Sequence, residues 1–304
     1  MFSHLKIIDL STVLAGPAVA TFFAELGAQV LKIENKKAPD VTRSWKLKGE
    51  AEQDVSAYFS SVNFSKKYTQ LDLLNIEDYQ FLLKLVEGAD ILISNFKFGD
   101  ADKLNVSDKK LHQINPKLII GKIEGFSASE DRVAYDLILQ AETGYMSMNG
   151  SLDSGPIKMP VALIDVLAAH QLKEGLLLAL LQRDSHPLPQ SISVSLYDAA
   201  ICSLTNQASN FLMQHKIPER IGSLHPNIAP YGELFQTADQ KTVTFAIGSD
   251  LHFEKLCTYL NKVQIFENPL YVSNQTRVVH RQKLYEELIP VIAALNSANL
   301  MEDM

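Results

Sequence analysis

Short apolar runs alternate with longer segments of helical periodicity along the first half of the chain. Residues 5–9 and 29–33 have the length and apolar character of strands, and residues 17–26 between them predict a helix that Gly27 ends. Further strands are predicted at 69–72, 90–93 and 118–123, with helices at 76–87 and 109–113. This alternation predicts an α/β fold, in which helices cover an open parallel sheet and ligands bind near the carboxyl ends of its strands.

The pattern changes after Pro218. A long helix to about Arg183, a strand at 191–194 and a helix at 196–214 come first. Turns and short strands follow, such as those at 231–235 and 242–246. The change predicts a larger domain over residues 1–215 and a second, smaller domain over residues 216–304.

Asp165 interrupts the apolar pattern, because apolar residues surround it at 161–164 and 166–169. A carboxylate in such a setting costs free energy to desolvate unless something compensates it. One interpretation is a helix N-cap, which contributes about 1 kcal/mol. The other is a nucleophile that the positive end of the helix dipole holds ionised. Taken alone, this segment favours the cap.

The loop at residues 11–17 joins the first predicted strand to a helix with Pro17 in its first turn. Such a connection exposes backbone N–H groups and is typical of a site for an extended or anionic ligand. A simple tight turn is the alternative, and without further evidence it is the better interpretation.

Composition narrows the class of protein. The chain has 304 residues, of which 46% are hydrophobic and 21% charged, and its net charge is −7. These values predict a soluble globular protein, and no Lys/Arg-rich run favours nucleic acid. The N-terminus lacks the order of a signal peptide and no apolar stretch reaches the length of a membrane span, so a cytoplasmic location without a membrane partner is expected. Cys202 and Cys257 lie far apart, so no metal site is expected.

Several common catalytic motifs are missing. The sequence contains no GxG pair, no GxxxxGK[ST] loop, no GxSxG elbow and no HExxH helix. His170 follows Asp165 by five residues, which on a helix turns it away from the same face. We therefore interpret His170 as a structural histidine.

Nine sets of residues, taken in order, resemble the class III CoA-transferases, a family that also includes the α-methylacyl-CoA racemases. Each set is a weak signal alone, but their order and spacing cover nearly the whole chain. They are residues 8–11 with 13–17, 26–34, 39–43, 63–67, 95–96, 134–136 with 140, 141 and 144, Asp165 with its helix, 195–200, and 225–232.

The resemblance implies a Rossmann-like large domain, a small α+β domain and an interlocked homodimer. It implies acyl-CoA and a free carboxylic acid as substrates, with CoA moved between acids through a covalent intermediate on Asp165. The carboxylate attacks the thioester to give a mixed anhydride, and the released thiolate returns to form an aspartyl-CoA thioester. A free aspartate pKa near 3.9 and a helix N-terminus are expected to keep Asp165 ionised.

The resemblance also implies the position of a CoA site. Lys103 matches a basic residue that meets phosphate, although a solvated surface lysine is the alternative, and Lys66 and Lys67 are weaker candidates. The residues that match the CoA site of the family are Val13, Leu14, Ala15, Leu71, Asp72, Leu73, Leu74, Asn95, Phe96, Lys103 and Tyr135.

Departures from the family pattern separate the alternatives. Tyr135 replaces the histidine that moves the α-proton in racemases, and a phenol is a poor base at neutral pH, which disfavours a racemase or epimerase. Leu14 replaces a glutamine of the oxalate branch, which argues against oxalate as acceptor. Asn35 replaces a basic residue that packs on adenine. Family members are usually longer, so the C-terminal segment that returns to the large domain is expected to be missing, and a catalytically idle CoA-binding homologue stays an alternative.

Overall fold

The structure is a computed structural model that describes residues 1–126, 132–183, 185 and 188–303. It forms two compact units, one made of Met1–Tyr145 and Lys158–Ile217 and the other of Met146–Ile157 and Pro218–Met304. The second unit includes Met146–Ile157, whereas the predicted division between residues 215 and 216 assigns this segment to the larger domain. Within the described ranges, no helix combines the length and the apolar character needed to cross a membrane.

The strands and helices follow one another in this order: β1 (Lys6–Asp9), α1 (Ala15–Glu25), β2 (Gln29–Asn35), α2 (Ala57–Ser61), β3 (Lys67–Leu71), α3 (Ile76–Glu87), β4 (Ile91–Ser94), α4 (Asp100–Lys103), α5 (Asp108–Ile114), β5 (Ile119–Glu124), α6 (Asp136–Glu142), α7 (Tyr145–Met148), α8 (Leu163–Gln182), β6 (Gln190–Ser195), α9 (Leu196–Cys202), α10 (Thr205–Gln214), β7 (Tyr231–Gln236), β8 (Thr242–Ala246), α11 (Asp250–Tyr259), α12 (Val263–Phe266), α13 (Asn274–Val279), α14 (Arg281–Ile292) and α15 (Ser297–Asp303). A short 3-10 turn at Val41–Ser44 lies between β2 and α2.

Among the described residues, the first unit contains one six-stranded parallel sheet, in the order β3-β2-β1-β4-β5-β6. The predicted α/β fold with an open parallel sheet is confirmed. The chain builds outward from β1 to β3 and then from β4 to β6, so the order reverses between β1 and β4. Ligands of open parallel sheets bind at such a reversal, outside the carboxyl ends of the strands.

Helices cover both faces of this sheet, which explains why all four residues of β4 are buried. On one face, α1 and α8 pack against the sheet, and α8 buries Ile164, Ala168, Leu172 and Leu176, one helical turn apart. On the other face, α3 and α5 bury a separate apolar cluster. The two layers fix the ends of β1 and β4, where the chain leaves the sheet.

Helix α1 begins at Ala15, two residues before the predicted start at Pro17, and ends at Glu25. Proline is tolerated in the first turn because its missing N–H has no partner there within the helix. Gly27 follows the helix with a φ of 95°, as its predicted role as terminator requires.

Replacing Gly16 by alanine is expected to destabilise the start of α1. A Cβ at this position would lie 2.3 Å from Ser11 Cβ, and Ser11 is itself held by Asp9, whose Oδ1 accepts from Ser11 Oγ at 2.5 Å. We expect the free energy of unfolding, measured with urea, to fall by about 1–3 kcal/mol. Gly88→Ala is the control, because no atom lies within 4 Å of its added Cβ. Equal losses in both variants would contradict the proposed clash.

In the second unit, β7 and β8 pair antiparallel and α11 and α14 pack around them. Arg277 is fully buried, with its guanidinium 4.5 Å from the centre of the Phe253 ring. It donates to the carbonyls of Ala229 at 2.7 Å and Tyr271 at 3.0 Å and to Asp250 Oδ1 at 2.7 Å. Arg277 therefore anchors the segment 225–232, one of the family-like segments.

Candidate active site

A cavity of about 660 Å³ opens in the first unit, at the carboxyl ends of β1, β4 and β5. Residues 12, 13 and 15 after β1, 94–99 at and after β4, 122–126 at and after β5, and 132–136 before α6 line it, together with Asp165. The cavity therefore lies where the strand order reverses, at the place that this class of sheet uses for ligands.

Asp165 lies in the first turn of α8, as the third helical residue. The N-cap is Ala162 and no side-chain cap is present, so the interpretation of Asp165 as the N-cap is wrong. Asp136 of α6 caps the start of α8 instead, because its Oδ1 accepts the N–H of Ile164 at 2.7 Å. Asp165 therefore does not cap α8, and it lines the cavity.

The pKa of Asp165 is raised from 3.8 to about 7. Burial is the largest cause, the nearby Asp136 carboxylate adds to it, and the polar backbone of Ala15 acts in the opposite direction. The expectation that the helix N-terminus keeps Asp165 fully ionised therefore fails, because desolvation and a like charge outweigh the dipole. Near neutral pH both protonation states are populated.

Asp136 and Gln140 hold the segment that leads into α8. Gln140 is fully buried, donates from Nε2 to Asp136 Oδ2 at 2.5 Å and accepts the N–H of Met159 on Oε1 at 2.7 Å. Because the two side chains lie four residues apart on α6, they share one face. This explains in physical terms why Asp136 and Gln140 belong to a family-like segment.

Asp136→Asn is expected to lower the pKa of Asp165. The variant removes the like charge that is the second cause of the raised pKa, while an asparagine oxygen still accepts the Ile164 N–H. A titration of the Asp165 carboxyl by ¹³C NMR should give a midpoint below that of the unmodified protein, which we expect near 7. An unchanged or higher midpoint would show that Asp136 does not act on Asp165 through its charge.

Hydrogen bonds to Asn95 and to Asp40 hold the loop between β1 and α1. Asn95 accepts the N–H of Thr12 at 2.9 Å and donates to the Thr12 carbonyl at 2.8 Å. Val13 has a φ of 71°, in the left-handed region, and its N–H donates to Asp40 Oδ2 at 3.1 Å.

Buried charges surround this loop. Lys66 Nζ lies 2.8 Å from Asp9 Oδ2, and Lys32 Nζ lies 3.6 Å from Asp40 Oδ2 and donates to the Ser11 carbonyl at 2.8 Å. Burial raises the pKa of Asp9, but Lys66 and Lys32 outweigh this and hold that pKa below its usual value. The family-like segments 8–11, 26–34, 39–43 and 63–67 thus meet in one ion network, and Lys66, whose side chain is 1% exposed, belongs to that network rather than to a phosphate site.

The structure brings some of the residues named from the sequence to one cavity. Val13, Ala15, Asn95, Phe96 and Tyr135 line it together with Asp165. The side-chain amide of Asn95, however, is bonded to the Thr12 backbone.

The remaining residues lie outside the cavity lining. Leu14 is the N-cap of α1. Leu71 ends the edge strand β3 and is buried, Asp72 pairs with Lys37 at 2.6 Å, and Leu73 packs on the buried cluster beneath α3. Leu74 is 75% exposed. Lys103, in α4, pairs with Asp100 at 2.9 Å.

Two aromatic residues near the site, Tyr58 and Trp45, have no role predicted from the sequence. Burial, followed by the charges of Asp165, Asp136 and Asp40, raises the pKa of Tyr58 to about 12, which places its phenol near the same carboxylates. Trp45 packs edge-on against Tyr58 with ring centres 5.3 Å apart. Neither residue carries a pattern in sequence, since only folding brings α2 to the site.

Cations also line the cavity. Lys122 pairs with Asp108 at 2.8 Å, Arg132 pairs with Glu142, and Lys97 lies on the loop after β4. In the part of the chain that the structure describes, no group of three or more His, Cys, Asp or Glu side chains is arranged to hold a metal ion.

Fold and site together define an α/β protein that presents a carboxylate of raised pKa in a cavity at the reversal of its sheet. Residues 2–304 match CoA-transferase family III, and the chain belongs to this family. It is a family III CoA-transferase, and the resemblance seen in the sequence is confirmed.

Similar proteins of known name are also CoA-transferases. The chain is 32% identical over 306 residues to the succinate–glutarate CoA-transferase of Agrobacterium fabrum, covering 98% of this chain and 76% of that protein. It is 30% identical over 308 residues to the succinyl-CoA:mesaconate CoA-transferase of Haloarcula hispanica, covering 98% and 76%. Each of these relatives is therefore longer than this chain.

Solved structures agree on the fold. A CAIB/BAIF family protein from Brucella suis has a TM-score of 0.80 and 32% identity, covering 98% of this chain and 80% of that chain. A Mycobacterium tuberculosis protein has a TM-score of 0.87 and 23% identity, covering 99% and 80%.

Proposed function

We propose that this protein moves CoA from an acyl-CoA to a free carboxylic acid through a covalent intermediate on Asp165. The observation that carries the proposal is Asp165, which lines the cavity at the reversal of the sheet and whose carboxyl has its pKa raised to about 7 by burial and by Asp136. The relatives named for succinate, glutarate and mesaconate support small dicarboxylic acids as the substrate class.

In the first half-reaction, an ionised Asp165 oxygen attacks the thioester carbonyl carbon, and the C–S bond breaks to release CoA thiolate. The thiolate then attacks the Asp165 carbonyl carbon of the mixed anhydride and expels the donor acid as a carboxylate. The second half-reaction reverses these steps with the acceptor acid and regenerates Asp165.

The same proposal places CoA against Val13, Ala15, Asn95, Phe96 and Tyr135, which line the cavity with Asp165. The side chain of Asn95 holds Thr12, so the proposed contact of Asn95 with CoA is through its backbone. Leu14, residues 71–74 and Lys103 belong to the proposed CoA site through the resemblance to the family. A cytoplasmic homodimer is also part of the proposal on the same ground.

A racemase or epimerase is the alternative enzyme, and it requires a base opposite Asp165. Tyr135 lines the cavity but is 55% exposed, and it is the N-cap of α6. An exposed phenol is poorly suited to remove an α-proton, which favours transfer.

Mass spectrometry tests the proposal. The full chain is incubated with succinyl-, glutaryl- and acetyl-CoA, trapped with hydroxylamine or borohydride, and digested for peptide mapping. We expect an adduct on Asp165 together with transfer of CoA to an added acid. CoA binding without adduct or transfer would indicate an idle homologue, and α-proton exchange without transfer would indicate a racemase.

A further inference from the structure

The cavity that Asp165 lines extends over both faces of the sheet at the carboxyl ends of β4 and β5. Successive side chains of a strand point to opposite faces. Ile123 of β5 belongs to the apolar cluster that contains Ile164 of α8, whereas Ile120 belongs to the cluster beneath α3 and α5. Ile120 and Ile123 both line the cavity, so one part of it lies on the α8 face, with Asp165, and the other on the α5 face.

Two of the cations that line the cavity belong to the α5 face. Lys122 points to the face opposite its neighbour Ile123, and its Nζ lies 2.8 Å from Asp108, the first residue of α5. Lys109 is itself a residue of α5. The sheet therefore separates Lys122 and Lys109 from the part of the cavity that contains Asp165.

Arg132 is a cation on the α8 face. Its guanidinium lies 4.1 Å from the centre of the Phe126 ring, and Phe126 is buried in the same cluster as Ile164. Four residues after Arg132, Asp136 accepts the N–H of Ile164, the neighbour of Asp165. Four residues of extended chain span at most about 14 Å, so the backbone of Arg132 lies within that distance of the residue that caps α8.

Contacts hold the Arg132 guanidinium in a position that a ligand can reach. Nη2 bonds to Oε1 of Glu142, the last residue of α6, and the Phe126 ring supports the flat face of the guanidinium. The side chain is 49% exposed and lines the cavity. A guanidinium that is held by its face presents N–H groups along its edge, in a planar arrangement that matches the two oxygens of a carboxylate.

Transfer between small dicarboxylic acids places a second negative charge in the cavity. One carboxyl group reacts at Asp165, and the other is ionised at neutral pH and costs free energy to desolvate unless a cation compensates it. Because the second half-reaction reverses the first, the donor and acceptor acids occupy the same position in turn, and one cation serves both. We propose that Arg132 binds this second carboxylate and thereby selects dicarboxylic over monocarboxylic acids. The inference rests on the proposed function.

The test compares glutarate with pentanoate, in which a methyl group replaces one carboxylate. Succinyl-CoA is the donor, and kcat/KM for the acceptor reports the half-reaction with that acid. In the unmodified protein we expect kcat/KM to be higher for glutarate. Arg132→Met should lower the value for glutarate about 10- to 100-fold, the loss expected for a hydrogen bond to a charged group, and should leave the value for pentanoate within about threefold.

Lys122→Met is the matched control, because it removes a cation of the same cavity on the α5 face. It should keep the ratio of kcat/KM for glutarate to that for pentanoate within about twofold. Arg132→Lys keeps the charge without the planar edge and should recover part of the value for glutarate. An equal fall for both acids in Arg132→Met would mean that Arg132 acts on CoA or on the fold, and it would overturn the inference, as would an unchanged ratio.

A binding measurement separates this inference from the proposed function. Glutarate and pentanoate are titrated into the ¹⁵N-labelled full chain, and the arginine Nε–H signals are followed by NMR, with the signal of Arg132 assigned from Arg132→Lys. We expect glutarate, but not pentanoate, to shift this signal. Absence of an aspartyl adduct and of transfer would reject the proposed function, whereas a signal that glutarate leaves unmoved would reject the carboxylate site even in an active enzyme. The measurement uses the unmodified chain, so it also decides the case in which Arg132→Met does not fold.

Discussion

Replacing Asp165 by asparagine is expected to abolish CoA transfer and the covalent adduct. An amide has no ionisable oxygen with which to attack a thioester. Loss of a covalent nucleophile lowers kcat by on the order of 10³-fold or more in enzymes that form acyl intermediates. The measurement is steady-state transfer from succinyl-CoA to glutarate, with mass spectrometry of the trapped protein.

The matched control is Asp198→Asn, because Asp198 also lies in the first turn of a helix of the first unit, α9, but is exposed. This control should keep kcat within about twofold, since surface substitutions rarely disturb a fold. Circular dichroism must show both variants folded. Transfer that persists in Asp165→Asn, or an adduct that maps to another residue, would remove Asp165 from the mechanism.

The fold was largely predictable from the sequence because parallel sheets leave a local signature. Strands buried on both faces, such as β4, are apolar runs, and the helices between them repeat at helical spacing. The start of α1 was misplaced by two residues, because Pro17 marks a first turn without fixing its first residue. Local patterns therefore predict the elements better than their ends.

The site was predictable only in part, because its chemistry depends on contacts across long stretches of chain. Asp165 attracted attention through its apolar neighbours, but its raised pKa depends on burial and on Asp136. Asp136 caps α8 from 28 residues away, and Asp40 meets Val13 across 27. The family-like segments contain all of these residues except the overlooked Tyr58, yet only the folded chain shows what each one touches.

The second large effect is expected from Lys66→Met, on stability. Lys66 Nζ donates to Asp9 Oδ2 at 2.8 Å, to Asn63 Oδ1 at 3.0 Å and to the carbonyls of Pro17 and Val62 at 2.9 and 2.8 Å. The variant leaves the buried carboxylate of Asp9 with Lys32 at 4.0 Å as its remaining ion-pair partner among the described residues. Removing one partner of a buried ion pair costs about 3–5 kcal/mol. Urea denaturation at pH 7 measures the loss.

The neighbouring Lys67→Met is the control, because Lys67 is exposed and its replacement should change the free energy of unfolding by less than about 0.5 kcal/mol. Asp9→Asn with Lys66→Met completes a double-mutant cycle. The double variant should lose less than the sum of the single losses, because it leaves no unpaired buried charge. Additive losses would show that Lys66 acts through packing and carbonyl contacts alone.

Acid denaturation of the same variants is an independent test of the ion pair between Lys66 and Asp9. The folded-state pKa of Asp9 lies below its unfolded value of 3.8, so its ionised form stabilises the protein above that value and the contribution is lost as pH falls through the folded pKa. In Lys66→Met the largest cause that lowers this pKa is gone and burial raises it, so acid should remove less stability from the variant, and the difference between the variant and the unmodified protein should shrink as pH falls through this range. Parallel acid denaturation curves for Lys66→Met and the unmodified protein would contradict the network. A smaller acid loss in Lys66→Met would show that the buried ion pairs stabilise the fold. The same network holds the Val13 loop of the site, through Asp40 and Lys32.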